Sequence, residues 1–124
     1  GETSLDIIGY AAHIAAQLGA HIIKVKPPST NIENKDLNNM FDNSKSNFSL
    51  LSDRISHIKK CAFNSKRIVV FSGGNSKNIA ELLEEIKQIN IGGGNGSIIG
   101  RNTFQRPKEE AINLLKKIVA IYKN

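Results

Sequence analysis

The sequence predicts an α/β fold in which parallel strands alternate with helices, and three observations carry that reading. Segments of helical and of strand character follow one another as α-β-α-β-α-β-α, the succession that right-handed crossovers turn into a parallel sheet. The three strand segments are near-continuous apolar runs, as expected where helices cover both faces. Three strands are also too few for a complete sheet of this architecture, so the pattern reads as a piece of a larger α/β unit.

The elements are justified in order. From Ser4 to Leu18, Ile7, Ile8, Ala11, Ile14, Ala15 and Leu18 recur at helical spacing, and Gly19 is a natural stop. Ala20 to Lys26 is a short β-branched run ended by Pro27-Pro28 and reads as a strand. Residues 29–48, rich in Asn, Ser, Asp and Lys, read as a long mobile loop and a candidate active-site cover. A helix is expected over Ser49 to Phe63, with Leu50, Leu51, Ile55, Ile58 and Ala62 inward. Arg67 to Ser72 is the clearest strand. It breaks at Gly73-Gly74 ahead of a helix from about Ser76 to Asn90, whose Ile79, Leu82, Leu83 and Ile86 face inward while Glu81, Glu84, Glu85 and Lys87 are solvated. Gly92 to Gly96 reads as a flexible connector into a last strand, Ser97 to Gly100. Pro107 then opens a final helix carrying Ile112, Leu115, Ile118 and Val119. The whole is either the end of a (β/α)8 barrel or part of an open sheet.

Composition narrows the function classes. The chain has 124 residues, one domain by length, with 40% hydrophobic and 23% charged residues. Its apolar runs fall short of the roughly 20 residues of a membrane span, and Gly1-Glu2-Thr3-Ser4 does not resemble a secretory signal. The chain begins without a Met, so further chain is expected in front of it. Its one cysteine, Cys61, excludes an internal disulfide and any multi-cysteine metal centre, which suits a reducing cytoplasm. The net charge of +6 comes from scattered lysines and arginines, and there is no Trp. Neither a basic run nor a base-stacking platform is present, so nucleic acid is not an expected partner.

In parallel α/β folds, sites form at the carboxyl ends of strands. Lys24 with Lys26, Ser72-Gly73-Gly74 and Gly100-Arg101-Asn102 all fall there. Lys24 and Lys26 point to one face of their strand. A lysine buried there beside a second ammonium has a lowered pKa and becomes a nucleophile able to form a Schiff base. Alternatively, both lysines snorkel out and pair with carboxylates. The two glycine-bearing turns let backbone N–H groups approach an anion at a helix N-terminus, and Arg101 adds a guanidinium. Gly92 to Gly96 precedes a strand and lacks the G-x-G-x-x-G spacing, so it is not a dinucleotide loop. Arg106 either joins the phosphate site or caps a surface. His13 and His21 lack a second ligand at metal spacing, His57-Ile58-Lys59-Lys60 reads as a solvated helix face, and Cys61 as a packed thiol.

Three blocks carry a resemblance: Ala20 to Pro28, Lys66 to Gly74, and Gly92 to Pro107 with its Gly-Arg-Asn-Thr-Phe-Gln-Arg-Pro ending. In this order they resemble the C-terminal part of the archaeal-type class I fructose-bisphosphate aldolases, in the branch found in bacteria. The resemblance covers nearly the whole chain apart from residues 30–48. It implies an α/β fold that is the C-terminal part, about three β/α units, of a (β/α)8 TIM barrel. It implies Lys24, the first of the Lys-x-Lys pair, as the Schiff-base lysine, with Ser72, Gly73, Gly74, Gly100 and Arg101 holding the substrate phosphate. The implied reaction is reversible, metal-independent cleavage of fructose 1,6-bisphosphate, shared by glycolysis and gluconeogenesis, with no cofactor. The family's acidic residue and tyrosine on earlier strands have no counterpart, since Tyr10 and Tyr122 lie on helices. An active enzyme is therefore expected to need a separate N-terminal half of the barrel. Otherwise the chain is an inactive remnant or a phosphate-binding module. The family's habit of forming homo-oligomers suggests the same here.

Overall fold

The computed structural model describes residues 1–43, 47–73 and 75–124. Strands β1 (Ile22–Val25), β2 (Ile68–Ser72) and β3 (Gly96–Ile98) form one parallel sheet in the order β1-β2-β3. Ile22 lies opposite Ile68, Lys24 opposite Val70, Val70 opposite Gly96, and Ser72 opposite Ile98. Helix α1 (Leu5–Gln17) precedes β1, while α2 (Lys35–Asn43) and α3 (Leu51–Cys61) lie between β1 and β2. Helix α4 (Ile79–Ile91) connects β2 to β3, and α5 (Arg101–Phe104) and α6 (Lys108–Lys123) follow. Among the described residues no helix is long and apolar enough to cross a membrane.

The two faces of the sheet differ in this chain. Side chains alternate across a strand, and Ile23, Val69 and Phe71 point into a core with Leu5, Ile55, Ile58 and Ile89. Each such burial contributes about 1.5–3 kcal/mol relative to an exposed side chain. On the opposite face Ile22, Ile68 and Ile98 are 64%, 45% and 47% exposed. A second small core joins α4 to α6 through Leu82, Ile86, Leu114 and Ile118.

Helical spacing located the helices more closely than it located their buried stripes. Helix α1 ends in a Schellman motif. Gly19, at φ +95°, donates to the Ala16 carbonyl (3.1 Å) and Ala20 donates to Ala15 (3.0 Å). Its buried stripe is Leu5, Ile8, Gly9, Ala12 and Ala16, whereas Ile7, Ile14 and Leu18 are exposed. Small residues win the inner face because α1 lies close to α3; a Cβ on Gly9 would stand 3.2 Å from Cys61 Sγ. Likewise α6 buries Leu114 and Ile118 and leaves Ile112, Leu115 and Val119 exposed.

Residues 29–48 are not simply a loop. Asn34 caps α2, its Oδ1 accepting from Asp36 N (2.9 Å) and Leu37 N (3.3 Å). The Asp6 carboxylate accepts from Glu33 N (3.1 Å) and Asn34 N (2.9 Å). Burial works to raise the Asp6 pKa, but these backbone donors prevail and hold it below the ordinary carboxylate value. Asn31 and Ser29 are tied to Leu5 and Thr3, so the segment is docked on the start of α1. Residues 44–46 of this stretch lie outside the described residues.

Two further expectations change. Gly92 and Gly94 in the expected flexible connector are tightly packed, since a Cβ on Gly92 would lie 2.6 Å from Ile55 Cβ and one on Gly94 2.5 Å from Ile89 Cγ2, while Gly93 between them is exposed. His57 is not solvated: its half-buried ring meets Phe41 and Phe48 edge-on at 5.5 and 5.3 Å. Burial, then Lys60, pushes the His57 pKa down, and burial pushes the neighbouring Cys61 thiol up. The thiol is packed, as expected.

Candidate active site

At the carboxyl end of the sheet lies a cleft of about 260 Å³ lined by Lys24, Ser72, Gly73, Ile98, Ile99, Gly100, Arg101, Asn102 and Phe104. The pleat assembles it. Lys24, Ser72 and Ile98 share the open face by register, and the two turns that follow β2 and β3 close one side. Five of the six residues expected to act on substrate therefore meet here. The sixth, Gly74, lies outside the described residues.

Lys24 is exposed on this face in this chain. No hydrogen bond or ion pair with described residues engages its ammonium. Lys26 does not share the cleft. It forms an ion pair with Glu2, whose carboxyl it holds below the ordinary value, and lines a neighbouring cavity with Gly73, Lys77 and Glu85. For Lys26, the carboxylate-paired alternative is the one observed.

The anion turns differ from expectation in their helices. Helix α4 starts at Ile79, where the Asn78 side chain accepts from Glu81 N (2.8 Å), so positions 74–78 separate its N-terminus from Gly73. Helix α5 has only four residues. A ligand in this cleft would thus meet turn amides and the Arg101 side chain, not a long helix dipole. Glu85 is not solvated either. Its side chain is 16% exposed and ion-paired with Lys77.

Asn102 was not singled out by itself in the sequence, although it follows Gly100-Arg101 directly. It is 5% exposed, and its Oδ1 accepts from Lys77 N at 2.7 Å. Arg106 donates to the carbonyls of Asn102 (2.7 Å) and Lys77 (2.6 Å), so it neither lines the cleft nor caps a free surface. Tyr10 and Tyr122 lie away from the cleft. His13 Nδ1 donates to the Cys61 carbonyl (3.0 Å) and His21 is exposed. Among the described residues, no three His, Cys, Asp or Glu side chains lie close enough to hold a metal ion.

Residues 1–106 match the family model described as DeoC/LacD family aldolase. The chain belongs to the DeoC/LacD aldolase family. It is 34% identical to a probable class 1 fructose-bisphosphate aldolase of Chlamydia muridarum, over 97% of this chain and 36% of that protein. Among solved structures, it superimposes on a fructose-bisphosphate aldolase from Slackia heliotrinireducens with a TM-score of 0.74 and 27% identity, over 98% of this chain and 33% of that one. An archaeal fructose 1,6-bisphosphate aldolase gives 0.73 and 25%, over 100% and 40%. The chain is thus a homologue of class I fructose-bisphosphate aldolases that spans about a third of the length of the curated relatives it matches. Its three parallel strands match part of a TIM-barrel aldolase as an open sheet.

Proposed function

We propose that this chain carries the imine-forming and phosphate-holding side of a class I fructose-bisphosphate aldolase. The single observation that supports the reading is the convergence of Lys24 and both anion turns on one cleft. In the proposed reaction the Lys24 amine adds to the C2 carbonyl of fructose 1,6-bisphosphate and, with loss of water, becomes a protonated imine. The electron pair of the C3–C4 bond then flows into that imine as the C4 hydroxyl loses its proton, releasing glyceraldehyde 3-phosphate. The resulting enamine is reprotonated at C3, and hydrolysis returns Lys24 and dihydroxyacetone phosphate. Ser72, Gly73, Gly74, Gly100 and Arg101 would hold the phosphate next to the imine carbon, which fixes the carbonyl beside the amine.

General acid–base groups would come from the rest of the barrel, on the same polypeptide or on a separate N-terminal half, and a homo-oligomer is the other arrangement proposed. A second reading of the same cleft is an inactive phosphate-binding remnant, in which the turns hold phosphate and Lys24 does not react. Borohydride trapping with dihydroxyacetone phosphate, followed by peptide mapping, separates the two. An adduct on Lys24 is expected, in this chain alone or with the first part of a barrel added. An adduct on another lysine sinks the Lys24 assignment, and no adduct under either condition leaves the remnant.

A further inference from the structure

Around the cleft, the segments bearing its two anion turns are fastened to each other by side chains with no role in the proposed chemistry. Residues 73–78 lie outside helix and strand among the described residues, so their backbone polar groups need partners from elsewhere. Asn102 and Arg106 supply them at Asn75 and Lys77. Asn102 Oδ1 accepts from Lys77 N at 2.7 Å and its Nδ2 donates to the Asn75 carbonyl at 3.1 Å. Arg106 Nη2 donates to the Lys77 carbonyl at 2.6 Å, while its Nε donates to the carbonyl of Asn102 itself at 2.7 Å. The Lys77 ammonium, paired with Glu85, ties the same loop to α4. The planar guanidinium fork is suited to holding two carbonyls in fixed relation, and a lysine is not.

We propose that Asn102 and Arg106 are positioning residues that set the spacing between the Ser72-Gly73 turn and the Gly100-Arg101 turn. They thereby make the two halves of the cleft bind one phosphate monoester as a unit. The proposal rests on reading the cleft as a phosphate site. Its distinctive consequence is coupling: a ligand at one turn must be felt at the other with the same affinity, and cutting the clamp uncouples them.

The test is a titration of the ¹⁵N-labelled 124-residue chain with dihydroxyacetone phosphate and, separately, inorganic phosphate. In the unmodified chain the amides of Gly73, Gly100 and Arg101 are expected to shift with one common affinity. In Asn102→Ala that affinity is expected to weaken about tenfold, the curves at the two turns to separate, and Lys77 N–H to exchange faster, while Val69 and Phe71 amides stay protected. Arg106→Lys keeps the charge and loses the fork, so it is expected to weaken binding in the same direction without loss of fold. Unchanged affinity and coincident curves in both variants, with Lys77 N–H exchanging faster, would overturn the clamp and leave the phosphate reading intact. No saturable shift in the unmodified chain would instead remove the phosphate reading, and the clamp with it.

Discussion

Two lysines lie at opposite ends of the same sheet, and their surroundings could hardly differ more. At the carboxyl end, Lys24 stands on the open face with no partner among the described residues. At the amino end, Lys59 on α3 is 5% exposed, and its ammonium donates to the Arg67 carbonyl at 2.8 Å and to Asn95 Oδ1. Asn95 Oδ1 also accepts from Val69 N at 2.9 Å, so one amide and one ammonium fasten the entries to β2 and β3. Burying an ammonium is unfavourable unless its donors are satisfied, and Lys59 places two of its three on neutral oxygens. An amine held in this way is structural, whereas an amine left open in a cleft is accessible to a ligand. The difference separates an end of the sheet that holds the fold from the end proposed to bind.

The sharpest way to break this contrast is to exchange the fates of the two lysines. Lys24→Met is expected to remove the borohydride-trapped adduct completely while leaving the free energy of urea unfolding within about 0.5 kcal/mol of the unmodified chain, as for other exposed positions. An adduct that survives in Lys24→Met would end the assignment. The rigidity of the amino end is tested by Gly92→Ala. The new methyl would meet Ile55 Cβ and the Ser52 carbonyl, so a loss of roughly 2–3 kcal/mol in urea unfolding is expected from overpacking. A loss under about 0.5 kcal/mol would mean that α3 and α4 separate easily there.

A smaller effect sharpens the role of Lys59 itself. Lys59→Ala takes the ammonium donor from the Arg67 carbonyl and leaves Asn95 Oδ1 with Val69 N alone, and it is expected to destabilise by about 2 kcal/mol. Burial pushes the Lys59 pKa below its ordinary 10.5. The folded chain then releases this proton at a lower pH than the unfolded chain does. The Lys59 contribution to stability therefore rises with pH from the depressed value up to 10.5. The difference in urea midpoint between the unmodified chain and Lys59→Met is expected to grow in that direction over that alkaline range. A flat difference would place the ammonium in contact with water.

Much of the architecture was legible in the sequence. Strand and helix order, the Gly19 stop and the position of each strand follow from local periodicity and turn chemistry, which adjacent residues carry themselves. Helix α2 was missed because its residues are mostly polar, yet Asn34 as a cap and Leu37, Met40 and Phe41 at helical spacing were readable signs. The Ile7, Ile14 and Leu18 face of α1 was misjudged because hydrophobicity alone does not reveal that Gly9, Ala12 and Ala16 allow a closer helix approach. For the cleft, Lys24, Ser72, Gly73, Gly100 and Arg101 were identifiable from strand-end placement. The clamp made by Asn102 and Arg106 was not, because its partners Asn75 and Lys77 lie more than twenty residues away in the chain.

By itself the sequence determined the alternation of elements, the parallel sheet and the residues that end each strand, because these depend on period, β-branching and glycine at neighbouring positions. Only the tertiary structure decided which face of the sheet is covered, which of the two Lys-x-Lys ammoniums is paired with a carboxylate, and how the two turns are held to each other. Those outcomes depend on distances between segments far apart in the chain, set by packing rather than by any local preference of the residues involved.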